Sequence, residues 1–122
     1  MKALIVDDSK AMRTIIRTIL VKIGFETFEA ADGVAALARL LEVGPTDVAL
    51  VDWNMPEMNG FELVQKLRAQ RTYDAMRIVM VTTEAEVDRM IWAMDAGAND
   101  YVMKPFTADV IREKMSLVGA AP

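Results

Sequence analysis

The sequence contains no cysteine and no histidine. The first absence excludes disulfides, thiolate nucleophiles and cysteine metal sites, and the second excludes an imidazole base, ligand or pH switch. Ser/His/Asp and Cys/His catalysis are out of reach, as is every ordinary zinc site. A metal here has to be a hard cation held by oxygen, and a nucleophile has to be Asp, Glu, Ser, Thr, Lys or Tyr. Positive charge is also in short supply. With 14 Lys and Arg against 18 Asp and Glu the net charge is -4, the wrong sign for a chain that gains affinity by displacing counterions from phosphates, so no direct nucleic-acid partner is expected. Long apolar runs are missing as well. The run Ala3 to Val6 stops at Asp7 and Asp8, too short for a signal-peptide core, and no stretch could span a bilayer. No membrane insertion and a cytoplasmic location are the expectations. What is present is a chain of 122 residues, 53% hydrophobic and 26% charged, which fits one folded domain over 1–122 with residues 119–122 as a frayed tail.

Apolar periodicity alternates along that domain. Ala3–Val6 reads as a strand buried on both faces, and Met12, Ile15, Ile16, Ile19 and Ile23 then fall on one helical stripe. Ser9 or Asp8 starts that helix, over 10–23, and Gly24 stops it. The pattern repeats with strand Phe25–Glu29, helix Gly33–Val43 behind Asp32, and strand Val48–Asp52. After the loop Trp53–Asn59 come a helix over 60–70 with Phe61, Val64 and Leu67 inward, strand Arg77–Val81, helix Glu84–Ala96, strand Tyr101–Met103 and helix Ala108–Val118. In helix 84–96 the stripe Val87, Ile91 and Met94 is assigned to the core. Trp92 lies off it, either as an exposed partner anchor or packed on a neighbouring helix. Met12, Met80 and Met94 are read as core, and Met55 and Met58 as loop contacts for recognition. Five β/α units make an α/β domain with a parallel sheet, whose strands all end at one edge.

That edge carries the chemistry. Asp7 and Asp8 follow the first strand, Asp52 ends the third, Thr82 and Thr83 follow the fourth, and Lys104 follows the fifth. Carboxylates brought together repel unless a cation relieves them, and with oxygen donors only, Mg²⁺ is the natural occupant. A carboxylate, a hydroxyl and a lysine beside such a cation suit phosphoryl transfer, with Asp52 as nucleophile and an aspartyl phosphate as product. Each group has a plainer reading: Asp7, Asp8 and the threonines as helix caps, Asp52 as a turn residue, Lys104 as a solvated charge. Four separate strand ends supplying complementary groups favour the joint reading.

The residues resemble the receiver domain of bacterial two-component response regulators over nearly the whole chain. The resemblance is carried by Leu4-Ile5-Val6-Asp7-Asp8-Ser9, by Val51-Asp52-Trp53-Asn54-Met55-Pro56-Glu57-Met58-Asn59-Gly60, by Thr82-Thr83-Glu84, and by Ala96-Gly97-Ala98-Asn99-Asp100-Tyr101 running into Lys104-Pro105-Phe106. Within that family the chain looks most like the single-domain chemotaxis type. The resemblance implies a flavodoxin-like three-layer (βα)5 sandwich with strand order 2-1-3-4-5. It implies Asp52 as phospho-acceptor, Lys104 as the lysine pairing with the phosphoryl group, Thr82 and Tyr101 as switch residues, and a cis Lys104-Pro105 bond. It further implies Mg²⁺ held by Asp8, Asp52 and the Asn54 carbonyl, with Asp7 acting through water, and Asn54 and Glu84 as the positions that tune hydrolysis. The implied partners are a histidine kinase, whose phosphohistidine supplies the phosphoryl group, and a downstream protein, a flagellar switch protein or a phosphatase, met on a face that includes Trp92 and Tyr101. The chain itself would be a switch, monomeric or weakly dimeric, and no enzyme beyond its own phosphorylation and autodephosphorylation. Two other readings stand beside this: a module that works without phosphorylation, and an aspartate-nucleophile phosphatase. The latter needs an acid two residues past the nucleophile, where this sequence has Asn54.

Overall fold

A computed structural model describes residues 1–122. Five parallel strands, β1 (Lys2–Val6), β2 (Glu26–Ala30), β3 (Val48–Asp52), β4 (Arg77–Thr82) and β5 (Asp100–Met103), form one sheet in the order β2-β1-β3-β4-β5. The helices between them are α1 (Lys10–Ile23), α2 (Gly33–Val43), α3 (Gly60–Arg68), α4 (Met90–Ala96) and α5 (Ala108–Leu117), and α4 is preceded by a 3-10 segment over Glu84–Arg89. A second 3-10 turn, Arg71–Tyr73, leads into β4. This is the flavodoxin-like arrangement that the sequence reading expects, with strand boundaries shifted by one residue. Phe25 belongs to the core but not to β2, and β4 extends to Thr82.

Strand alternation divides the core into two layers, because successive side chains point to opposite faces of a sheet. Leu4, Val6, Ala49, Val51, Ile78 and Met80 pack against α2, α3 and α4, while Ala3, Ile5, Val48, Leu50, Val79 and Val81 pack against α1 and α5. Local signals fix the helix ends. Ser9 Oγ accepts from Met12 N–H at 3.2 Å, Asp32 accepts from Ala35 N–H at 2.8 Å, and Asn59 and Glu62 form a reciprocal capping box. Gly24 ends α1 at φ 116, a left-handed conformation that costs glycine little.

Several sequence-based assignments are corrected. In α1 Ile16 and Leu20 are buried, whereas Ile15 is exposed, because the core takes the residues four apart. In the fourth helical region Met90 and Ala93 face inward, whereas Ile91 and Met94 are exposed and Val87 only half-buried. The 3-10 segment advances about 20° more per residue than an α-helix, so six residues of it rotate the face of α4 by about 120° relative to a continuous helix. Met58 is buried rather than available in a loop: it fills the space over Gly33, where a Cβ would lie 2.7 Å from its sulfur. The segment 119–122 is no frayed tail. Ala120 is buried in the α1/α5 core layer, its N–H donates to the Met115 carbonyl at 2.8 Å, and a Cβ on Gly24 would meet Pro122 at 3.3 Å.

Candidate phospho-acceptor site

The site lies at the carboxyl ends of β1, β3, β4 and β5, where the chain crosses from one side of β1 to the other. Register brings its residues together. Val6 of β1 pairs with Val51 of β3, and Asp52 pairs with Val81 of β4, so Asp7, Asp52 and Thr82 emerge side by side. The backbone continues tightly past Asp52. Gly60 N–H donates to the Trp53 carbonyl at 2.9 Å, and a Cβ at Gly60 would collide with the Asp52 carbonyl oxygen, so only glycine lets α3 start this close to the strand end.

Asp7 and Asp52 are buried and Asp8 is exposed, yet one carboxylate oxygen from each lies within 4.8 Å of the others. Asp7 is held by the Ser9 N–H, which donates to its Oδ1 at 2.8 Å. Lys104 Nζ donates to Asp52 Oδ1 at 3.2 Å and to Asp7 Oδ2 at 3.3 Å. Burial, then the Asp7 charge, pushes the Asp52 carboxyl up to about 6, and the attraction of Lys104 offsets this only in part. Burial pulls Lys104 down, but the charges of Asp52 and Asp7 outweigh it and hold the ammonium above its usual range. One cation thus faces three acids, and the surplus of negative charge on oxygen donors alone fits a divalent hard cation.

Around this centre, Thr82 is buried and its hydroxyl donates to the Thr83 carbonyl at 3.2 Å, while Lys104 N–H donates to the Thr82 carbonyl at 2.6 Å. The Lys104-Pro105 bond is cis. Tyr101 is half-buried on β5. Lys114 Nζ sits 5.7 Å from its ring centre and donates to Asp100 Oδ1 at 3.0 Å. Asn54 projects from the loop after β3 and Glu84 is exposed. Trp92 is both exposed and packed on a neighbouring helix: it is 54% exposed, and its ring centre lies 6.4 Å from that of Phe61, which stacks on Trp53 at 5.8 Å. Sequence reasoning missed Glu86, which is buried and accepts from the Asn54 side-chain amide and from Thr83. Its signal was present, since Thr83 followed three residues later by Glu86 is the spacing of a capping box.

Residues 3–116 match the response regulator receiver domain family. The chain is 48% identical over 116 residues to the chemotaxis protein CheY homolog of Campylobacter jejuni, covering 94% of this chain and 89% of that one. It is 46% identical over 119 residues to the chemotaxis protein CheY1 of Helicobacter pylori, covering 97% and 96%. Among solved structures, chemotaxis protein CheY4 of Vibrio cholerae superposes with a TM-score of 0.88 at 36% identity, over 96% of this chain and 97% of that one. The chain belongs to the response regulator receiver domain family.

Proposed function

We propose that this chain is a phosphorylation-activated switch of a two-component system, of the chemotaxis type, with Asp52 as its phospho-acceptor. The observation that carries the reading is the placement of Asp52: buried at the carboxyl end of β3, 3.2 Å from Lys104 and in one cluster with Asp7 and Asp8. Its similarity to chemotaxis relatives of nearly the same length supports the pathway.

The residues divide the chemistry among themselves. An Asp52 carboxylate oxygen attacks phosphorus in line, the phosphorus to nitrogen bond of the partner kinase's phosphohistidine breaks, and the imidazole leaves with the electron pair and takes up a proton. Lys104 already bridges Asp7 and Asp52, so its ammonium can turn to the new phosphoryl oxygens while Asp7 keeps it in place. Mg²⁺ would be held by Asp8, Asp52 and the Asn54 carbonyl, with Asp7 through water, and when bound it neutralises charge on the phosphoryl oxygens. The Thr82 hydroxyl, now on the Thr83 carbonyl, exchanges that acceptor for the phosphoryl group, and Tyr101 follows it. Such a shift biases an existing equilibrium between two states, and the downstream protein reads the face bearing Tyr101 and Trp92. A flagellar switch protein suits that role, with an auxiliary phosphatase as a further partner. Asn54 and Glu84 tune hydrolysis of the acyl phosphate, and the chain acts in the cytoplasm as a phosphorylated switch rather than a turnover enzyme. No helix is long and apolar enough to cross a membrane.

The test is Trp fluorescence during titration with Mg²⁺ and then beryllofluoride, a mimic of the acyl phosphate. Trp53 adjoins Asp52 and stacks on Phe61, so wild type is expected to give a saturable change and Asp52→Asn none. A flat response in wild type, confirmed by calorimetry, would favour a module that works without phosphorylation.

A further inference from the structure

One buried acid has no part in this chemistry. Glu86 is 7% exposed, and no lysine or arginine pairs with it. Its carboxylate is satisfied instead by three donors from two loops. Oε1 accepts from Asn54 Nδ2, and Oε2 accepts from the Thr83 N–H at 3.1 Å and from the Thr83 hydroxyl. The Thr83 N–H bond is that of a helix start and is accounted for as a cap. The Asn54 bond is not: it joins residues 32 positions apart and ties the loop after β3 to the segment that opens α4.

Both donor residues follow the site closely in sequence. Asn54 lies two residues past Asp52, and Thr83 adjoins Thr82, whose hydroxyl it holds through its carbonyl. A phosphoryl group on Asp52 brings a charge of about -1.5 to -2 and three strong acceptor oxygens to this edge. It therefore competes with the Glu86 carboxylate for nearby donors and repels it. The charge-assisted bonds of Glu86 are of the strong kind, so releasing them has a real cost.

We propose that Glu86 is an internal clamp of the resting state: its carboxylate occupies the Asn54 and Thr83 donors beside Asp52, fastens the β3–α3 loop to the start of α4, and lets go when Asp52 is modified. Glu86 is a positioning residue that sets the balance of the switch, acting on Asp52 only through Asn54 and Thr83. The inference rests on the phospho-acceptor reading above.

The experiment titrates beryllofluoride in the presence of Mg²⁺ against wild type, Glu86→Gln and Glu86→Ala, with urea unfolding to establish that each is folded. Loss of the clamp is expected to tighten beryllofluoride binding by about tenfold in Glu86→Ala, the size of one hydrogen bond to a charged group. Glu86→Gln, which keeps an acceptor for Asn54 without the charge, should fall between, and it carries the test if the alanine variant does not fold. In metal-free protein the Asn54 side-chain amide protons should be protected from exchange in wild type and lose that protection in Glu86→Ala. Unchanged or weaker beryllofluoride binding in a folded variant, or Asn54 protons indifferent to the substitution, would reduce Glu86 to a helix cap and overturn the clamp. Silence in all three proteins would remove the phospho-acceptor reading, and the clamp with it.

Discussion

Two cations at opposite ends of the sheet collect oxygen atoms in opposite ways. At the amino ends of β4 and β5, Arg68 donates from Nε to the Gly97 carbonyl at 2.9 Å, from Nη1 to the Tyr73 carbonyl at 2.7 Å, and from Nη2 to the Met76 carbonyl at 2.7 Å and Asn99 Oδ1 at 3.1 Å. Asn99 Oδ1 also accepts from Ile78 N–H at 2.8 Å, so one guanidinium and one amide stitch α3, the 3-10 turn before β4, and the α4–β5 loop together. At the carboxyl ends, Lys104 meets the carboxylates of Asp7 and Asp52, with that of Asp8 close by. The planar fork of Arg68 is matched by neutral acceptors and the arrangement is complete. The point charge of Lys104 is outnumbered by three carboxylates, a surplus of negative charge that suits a divalent cation. One end of the sheet is built to hold and the other to react.

Two substitutions and one deletion sharpen that contrast. Arg68→Ala leaves buried carbonyls without donors and should lower the unfolding free energy by about 4 kcal/mol, read from urea midpoints, with beryllofluoride affinity unchanged wherever the protein stays folded. At the reactive end the sign reverses. The folded Asp52 carboxyl sits at about 6 against 3.8 for the free group, so the folded state holds the proton more tightly and Asp52 favours folding more as pH falls from above 6 toward 3.8. Across that interval the effect is roughly 3 kcal/mol. Without divalent metal, Asp52→Asn should therefore stabilise the fold by up to about 3 kcal/mol at pH 7, and the gain should vanish near pH 4. A gain independent of pH would mean that charge repulsion is not its source. The smallest effect belongs to the chain end: removing residues 119–122 uncovers the site of Ala120 and should cost about 1 kcal/mol, measurable by thermal unfolding, where a frayed tail would cost nothing.

Sequence reasoning reaches the site through the strand ends: Asp7 and Lys104 follow β1 and β5, Asp52 and Thr82 close β3 and β4, and parallel strands all end at the same edge. Asp7, Asp52, Thr82 and Lys104 were found that way, and the fold followed from five alternations of period. It failed at α4, where Ile91 and Met94 were placed inside, because a 3-10 segment before a helix changes the phase of its stripe without changing its composition. It failed at Met58 and Ala120, because whether a loop methionine or a terminal alanine is covered depends on what arrives from distant parts of the chain. It passed over Glu86, whose spacing from Thr83 signalled a cap but whose bond to Asn54 spans two loops.

By itself the sequence determined the α/β class, the order of its units, the exclusion of thiol and imidazole chemistry, and the acid-rich edge, all of which depend on residue type and on local periods of two and 3.6. Only the tertiary structure decided the elevated affinity of Asp52 for its proton, the sharing of Lys104 between two acids, the Arg68 tie and the Glu86 bridge. Those depend on burial and on distances between residues far apart in sequence, and Coulomb and hydrogen-bond energies change steeply over the few ångströms that folding sets.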